Sequence, residues 1–145
     1  MKPYFIFWQR WLVYSSLFLA VAAILFAFDL TSAIFVHYDQ AIAQIFWQTP
    51  NIPTDVQAFR KFVAGPLGGT IACAYILLAY LAWYPFGRKE QWARNAIMVS
   101  FGIWCIVDSY ICLKYGVNFQ VYLINGLSIL QKALPIIFTW NAFKS

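Results

Sequence analysis

The chain has 145 residues, of which 63% are hydrophobic and only 10% are charged, and its mean hydropathy is +0.67. A soluble domain carries about 25% charged residues, so this composition excludes an ordinary water-soluble protein. The formal net charge is +5. The cations lie scattered near the ends of apolar runs instead of in one basic patch, which argues against nucleic-acid binding and favours contact with anionic membrane lipids.

Four apolar runs are each long enough to cross a bilayer as a helix, since the hydrocarbon core takes about 20 helical residues. They cover approximately residues 11–28, 62–84, 93–113 and 119–138. Short polar turns separate the last three runs. The sequence therefore predicts an all-α fold, a polytopic membrane four-helix bundle that forms a single domain over residues 1–145.

The segment between the first two runs, approximately residues 33–48, predicts an additional amphipathic helix that lies in the membrane interface. Apolar side chains recur on one face of it at helical spacing, at Ile34, Tyr38, Ala41, Ile42 and Ile45. His37 and three glutamines fall on the opposite face. This segment acts either as a cover for the helix ends or as a lid over a cavity. Thr54 or Asp55 can then cap the next helix.

The second run contains Gly65 and Gly69 in a G-x-x-x-G spacing, with Cys73 one turn further on. Small residues on one face allow two helix backbones to approach closely, so these three residues are predicted to pack against another helix, within the chain or in an oligomer. A phosphate-binding loop is disfavoured because no strand precedes it and no Gly-Lys-Ser/Thr follows it. Pro66 predicts a kink or a new start of the helix.

The reactive residues are few. There are three cysteines without a C-x-x-C spacing, and His37 is the only histidine. Thiol–disulfide exchange, paired haem ligands and a metal cluster each need more than this. The sequence predicts no cofactor, no metal and no catalytic cluster.

Asp108 interrupts the third apolar run, and an ionisable residue inside a membrane span is a functional candidate by default. In the fourth run Asn118, Asn125 and Lys132 recur every seven residues, with Tyr122 beside them, so this polar stripe should face the other helices. At 1.5 Å per residue, Asp108 and Asn125 lie roughly 9–10 Å from the outer ends of their helices, and they can therefore meet.

Lys132 lies roughly 10 Å deeper than Asp108, and it is expected to extend toward the cytoplasmic boundary. Arg60, Lys61 or Lys114 are the expected cationic partners of Asp108. The sequence thus predicts a polar cluster in the outer half of the protein, which holds a ligand, fixes helix register or conducts ions. Its members are Asp29, His37, Arg60, Lys61, Asp108, Lys114, Asn118, Tyr122 and Asn125.

The distribution of cations in short loops predicts the orientation, because Lys and Arg favour the cytoplasmic side. Both termini are expected in the cytoplasm, in a multi-pass protein of the cell membrane. The inner side then holds Lys2, Arg10, Arg88, Lys89, Arg94 and Lys144, and the outer side holds Arg60, Lys61 and Lys114.

Several local sequences resemble a group of small bacterial membrane proteins. They are Gly65-Pro66-Leu67-Gly68-Gly69, the stretch from Trp83 to Trp92, Asp108-Ser109 and Tyr115-Gly116. The array resembles uncharacterised four-helix proteins that are loosely DoxX-like, which implies a bacterial inner membrane. The chain is also similar in size to sterol-isomerase-like four-helix proteins, but their site implies several embedded acids and a histidine, whereas here only Asp108 lies within a span.

Three functions follow from these residues as hypotheses. The first is a binding protein for a lipid, an apolar ligand or a partner helix through an outer-half cavity. The second is a subunit of an oligomeric proton- or ion-coupled transporter that uses Asp108. The third is a membrane-embedded lipid-modifying enzyme with His37 or Asp108 as general base. The expected partners are membrane lipids and either a second copy or another membrane protein.

Overall fold

The computed structural model describes residues 3–30 and 32–143, and over those residues it contains helices and connecting turns without a strand. Lys2 and Lys144, which entered the orientation argument, lie outside the described residues. The helices are α1 (Pro3–Ala27), α2 (Ser32–Trp47), α3 (Thr54–Leu81), α4 (Gln91–Lys114), the short α5 (Asn118–Gln120) and α6 (Gly126–Thr139). A π-helical turn, Ala82–Phe86, extends α3, another, Val121–Asn125, joins α5 to α6, and a 3-10 turn, Trp140–Phe143, follows α6.

Four helical stretches are long and apolar enough to cross a membrane, which confirms the four predicted spans. They are Tyr4–Ala27, Thr54–Phe86, Gln91–Lys114 and Asn118–Phe143. The helices extend beyond the predicted apolar runs because backbone hydrogen bonding continues through the polar residues that flank a hydrocarbon-length stretch. α3 begins at Thr54, one of the two predicted capping residues, and it continues through Pro66 without the predicted restart.

The segment between the first two spans is a helix, α2, as predicted. Ala43 is fully buried, Tyr38 and Ile42 are half-buried, and His37 is exposed. Ile45, which was predicted on the apolar face, is 38% exposed. The buried side of α2 is therefore centred closer to Ala43 than the apolar pattern indicates.

The chain divides into two compact units. Unit 1 comprises Met1–Leu17 with Ile76–Ser145, and unit 2 comprises Phe18–Tyr75. The core of unit 1 is aromatic at one end, where the Phe86 ring lies 5.9 Å from that of Phe5 and 4.8 Å from that of Phe143. The guanidinium of Arg94 lies 4.0 Å from the centre of the Trp140 ring. This cluster joins the N-terminal ends of α1 and α4 to the turn after α6.

Within unit 2, α1 and α3 lie close together at Gly68. A Cβ at this position would lie 2.6 Å from the Ala23 carbonyl oxygen and 2.8 Å from the Ala27 Cβ, so no side chain fits. Ala64 and Ala72, one turn before and after Gly68, are also buried. The small-residue face used within the chain is therefore Ala64–Gly68–Ala72.

The predicted packing residues lie one position further along α3. A Cβ added to Gly65 or Gly69 would meet nothing within 4 Å, and Cys73 is exposed. Gly65 and Gly69 therefore make no close helix contact within the described residues, because a shift of one residue from Gly68 turns the helical face by about 100°. Contact between this face and another chain stays a prediction.

Candidate functional site

Unit 2 contains a network of four charged side chains. The Arg60 guanidinium donates to both carboxylate oxygens of Asp39, with Nη2 at 2.5 and 2.6 Å and Nε at 3.1 Å from Oδ1. The Nη1 atom of Arg60 lies 3.7 Å from Asp29, and the Lys61 ammonium lies 3.0 Å from Asp29. The network links the turn after α1, the middle of α2 and the first turns of α3.

The conformation of the chain around Asp29 follows from its position at the end of α1. Asp29 has a positive φ of 58°, a conformation that Asp adopts more readily than most residues because its short side chain can interact locally. The turn reverses the chain so that the carboxylate meets α3. The side chains of Arg60, Asp29 and Asp39 are 24%, 31% and 23% exposed, whereas that of Lys61 is 61% exposed.

A groove of about 260 Å³ lies against this network. Four charged side chains, three amide side chains and two aliphatic side chains line it. It is lined by Asp29, Val36, Asp39, Gln40, Asn51, Ile52, Gln57, Arg60 and Lys61. The Gln57 amide donates to the Ile52 carbonyl at 3.2 Å, and the Thr49 hydroxyl donates to the Asn51 carbonyl at 2.7 Å. These bonds hold the loop before α3 beside the groove.

The structure brings together three of the predicted site residues in this groove, Asp29, Arg60 and Lys61. Arg60 and Lys61, two of the cations predicted to pair with Asp108, form their ion pairs with Asp29 and Asp39 instead. His37 is exposed on α2 and does not line the groove. The sequence analysis did not include Asp39 in the site. A signal was present, because an acid on the half-buried side of an amphipathic helix needs a cation nearby, and Arg60 and Lys61 are such cations.

Asp108 lies in a second polar cluster, in unit 1. The Asn125 Nδ2 atom donates to Asp108 Oδ2 at 2.8 Å and to the Ser109 hydroxyl at 3.0 Å. The Gln120 Nε2 atom lies 3.4 and 3.3 Å from the two carboxylate oxygens, and the Cys112 thiol lies 3.6 Å from Oδ2. Over residues 3–30 and 32–143, no Lys or Arg nitrogen lies within 4.0 Å of this carboxylate.

The predicted contact between Asp108 and Asn125 is confirmed. Asn125 is 1% exposed, but the rest of the predicted stripe does not follow it, because Asn118 is exposed and Tyr122 is 77% exposed. The π-helical turn Val121–Asn125 inserts a wider turn between them, and this changes which side chains share a face. Gln120, and not Tyr122, lies beside Asn125 in the polar cluster. The seven-residue repeat in the sequence does not predict this.

Two lysines differ in their surroundings. Lys114 is exposed at the end of α4, with its ammonium 5.8 Å from the Tyr115 ring. Lys132 is only 5% exposed, donates to Gln131 Oε1 at 2.9 Å and lies 4.4 Å from the centre of the Phe101 ring. The expectation that Lys132 extends to the membrane boundary is wrong, because these neighbours hold its ammonium inside unit 1. The Gln131 amide in turn donates to the Ser15 hydroxyl at 2.8 Å.

The described part of the chain brings together no group of three or more His, Cys, Asp or Glu side chains suited to a metal. Comparison of the chain with protein-family models, with curated proteins and with solved structures found no match. The groove in unit 2 and the Asp108 cluster in unit 1 are therefore the two candidate functional sites.

Proposed function

We propose that this protein is a multi-pass cell-membrane protein that binds a phospholipid by its headgroup in the groove of unit 2. The observation that carries the proposal is the exposed Lys61 ammonium beside a network that is otherwise charge-paired. Lys61 uses one ion pair, at 3.0 Å to Asp29, and an ammonium has three donors. An exposed ammonium with one ion pair can donate to a ligand as well, and phosphate oxygens are acceptors suited to it.

The remaining walls of the groove fit the rest of a headgroup. The amides of Gln40, Asn51 and Gln57 offer both donors and acceptors to hydroxyl or glycerol oxygens. Val36 and Ile52 supply aliphatic contact where the acyl chains begin. Arg60 shapes the groove more than it binds the headgroup, since its guanidinium is already bonded to both carboxylate oxygens of Asp39.

The proposal includes the placement of the chain in the membrane. The N-terminus lies in the cytoplasm, so α2 and the loop of residues 48–53 lie on the outer side, with α2 in the interface plane. A headgroup at that level reaches the groove of unit 2 while its acyl chains stay in the bilayer. The distribution of Lys and Arg supports this orientation.

Lipid retention tests the proposal directly. The full chain is purified in dodecyl maltoside, phosphatidylethanolamine or phosphatidylglycerol is added, and bound lipid is counted by native mass spectrometry. The wild type is expected to retain one phospholipid. Lys61→Met should reduce the retained fraction about tenfold, because it removes one charge-assisted hydrogen bond of roughly 1.5 kcal/mol.

Lys114→Met is the matched control, since Lys114 is also an exposed lysine but lies outside the groove. Its lipid retention should equal that of the wild type. If the wild type retains no phospholipid, or if both variants lose it equally, the groove is not the binding site.

A further inference from the structure

The charges of the side chains that line the groove of unit 2 sum to zero. Two of these side chains are acids, Asp29 and Asp39, and two are bases, Arg60 and Lys61. The phospholipid proposed above brings its phosphate to Lys61, so the rest of its headgroup lies among the other charged groups of the groove. The acid that lies next to Lys61 therefore affects which headgroup fits.

That acid is Asp29. Its Oδ2 atom lies 3.0 Å from the Lys61 ammonium, and its Oδ1 atom lies 3.7 Å from Arg60 Nη1, which is longer than a hydrogen bond. Its side chain is 31% exposed. An ionised carboxylate has about four acceptor positions, so Asp29 can accept further hydrogen bonds from a ligand. Asp39 differs, because Arg60 already donates to both of its oxygens.

An exposed ion pair is complementary to a ligand that carries a second ion pair in the opposite direction. A phosphate that accepts from Lys61 lies close to the Asp29 carboxylate, because the two protein groups are only 3.0 Å apart. A headgroup with a net negative charge is repelled by this carboxylate. A headgroup with a cation beside its phosphate brings the cation to Asp29 and is attracted to it.

The lining of the groove also distinguishes between two kinds of headgroup cation. A primary ammonium has three N–H donors and forms short charge-assisted hydrogen bonds with a carboxylate. A quaternary ammonium has no N–H group and is recognised by the faces of aromatic rings. The described residues that line the groove include no aromatic side chain, whereas Gln40 and Asn51 offer amide oxygens for further N–H groups. The groove therefore fits a primary ammonium better.

We infer that the groove of unit 2 selects phospholipids whose headgroup carries a primary amine, with phosphatidylethanolamine as the representative lipid. The phosphate accepts from Lys61, and the headgroup ammonium donates to Asp29. Asp29 is then the residue that determines headgroup specificity. This inference rests on the function proposed above, because it requires that the groove hold a phospholipid.

The test is competition among phospholipids with identical acyl chains. The full chain in dodecyl maltoside is mixed with equal amounts of phosphatidylethanolamine, phosphatidylglycerol and phosphatidylcholine, and the bound lipids are counted by native mass spectrometry. The wild type should retain phosphatidylethanolamine about tenfold over each of the others, which corresponds to roughly 1.4 kcal/mol. N-acetyl-phosphatidylethanolamine, which lacks the cation, should be retained as weakly as phosphatidylglycerol, and this comparison needs no change in the protein.

Asp29→Asn removes the charge and keeps the turn, because Asn also adopts a positive φ readily. This variant should retain phosphatidylethanolamine and phosphatidylglycerol to a similar extent. Asp55→Asn is the matched control, since Asp55 is an exposed acid of the same unit that does not line the groove. It should keep the tenfold preference of the wild type.

Equal retention of phosphatidylethanolamine and phosphatidylglycerol by the wild type would overturn the inference and leave the groove as a phospholipid site. Retention of phosphatidylcholine or of the acetylated lipid at the level of phosphatidylethanolamine would also overturn it. So would a preference that persists in Asp29→Asn. A wild type that retains none of these lipids would overturn the proposed function, and this inference with it.

Discussion

At the residue scale, Arg60 is the centre of the ion-paired network in unit 2. Its guanidinium is held by both oxygens of Asp39 and lies near Asp29, with only 24% of the side chain exposed. Exposed ion pairs contribute about 0.2–1 kcal/mol, whereas removal of one partner from a buried pair costs about 3–5 kcal/mol. The contribution of a half-buried bidentate pair to stability should lie between these limits.

We therefore expect Arg60→Met to lower the free energy of unfolding by about 1–2 kcal/mol, because both carboxylate oxygens of Asp39 lose their charge-assisted bonds to Arg60. Thermal unfolding in detergent measures the effect as a lower Tm. Lys61→Met is the control, since its 61% exposed side chain should contribute less than about 1 kcal/mol. An equal or larger loss for Lys61→Met would show that the bidentate pair does not stabilise unit 2.

Gln131 is the second residue whose replacement should lower the free energy of unfolding. Its amide donates to Ser15 while its oxygen accepts from Lys132, so it joins α1 to a buried cation. Gln131→Leu leaves the ammonium and the hydroxyl without this partner, and we expect a loss of about 1–3 kcal/mol in unfolding free energy. Ser128→Ala, at a half-buried position on the same helix, should change the stability by less than about 0.5 kcal/mol. A similar Tm for both variants would contradict this role of Gln131.

For single residues, the sequence predicted how far along a helix each side chain lies, but not which way it points around the helix axis. The rise per residue correctly placed Asp108 and Asn125 at one level. It could not indicate that Gln120 joins them, because Gln120 and Asn125 are five residues apart and share a face only across the π-helical turn between them. Nor could it indicate that Phe101 and Gln131 hold Lys132 in the interior, since both contacts depend on how the helices are rotated.

At the element scale, the contact of α1 with α3 in unit 2 depends on Gly68. A methyl group there would lie 2.6 Å from the Ala23 carbonyl oxygen, so the two backbones must separate. We expect Gly68→Ala to destabilise the protein by about 1–3 kcal/mol, as overpacking does, and thermal unfolding should show the lower Tm.

Gly65→Ala provides the matched control on the same helix. A Cβ at Gly65 meets open space, and Ala favours a helix over Gly by about 1 kcal/mol, so its Tm should stay the same or rise. A Tm loss as large as that of Gly68→Ala would mean that Gly65 packs against another chain. Sedimentation of the variant in detergent would then show a smaller oligomer.

The sequence predicted the helices well, but it placed the small-residue face of α3 one residue too far along the helix. Gly65 and Gly69 form the more familiar pattern, yet Ala64, Gly68 and Ala72 form the face that is used within unit 2. Both sets have the same four-residue spacing. Only the rotation of α3 about its axis separates them, and that rotation is set by its neighbour.

At the scale of the whole molecule, the lengths and positions of the apolar runs predicted the number of membrane spans, because each span must match the thickness of the hydrocarbon core. The sites could not be predicted as completely. The sequence treated the polar residues of the outer half as one cluster, whereas the structure shows an ion-paired groove in unit 2 and an acid with neutral partners in unit 1. Which charges pair depends on tertiary contacts that composition does not contain.

The proposed orientation of the chain leads to a prediction about labelling in intact cells. If both termini lie in the cytoplasm, as we propose from the distribution of Lys and Arg, the loop of residues 48–53 faces outward and the turn of residues 87–90 faces inward. Cys73, Cys105 and Cys112 are first replaced by Ala, and a single cysteine is then placed at Asn51 or at Lys89. A membrane-impermeant maleimide should label Asn51→Cys in intact cells and Lys89→Cys only after permeabilisation. The reverse pattern would put Arg88, Lys89 and Arg94 outside the cell and the groove of unit 2 inside. The phospholipid would then have to enter from the cytoplasmic leaflet, where anionic lipids are concentrated.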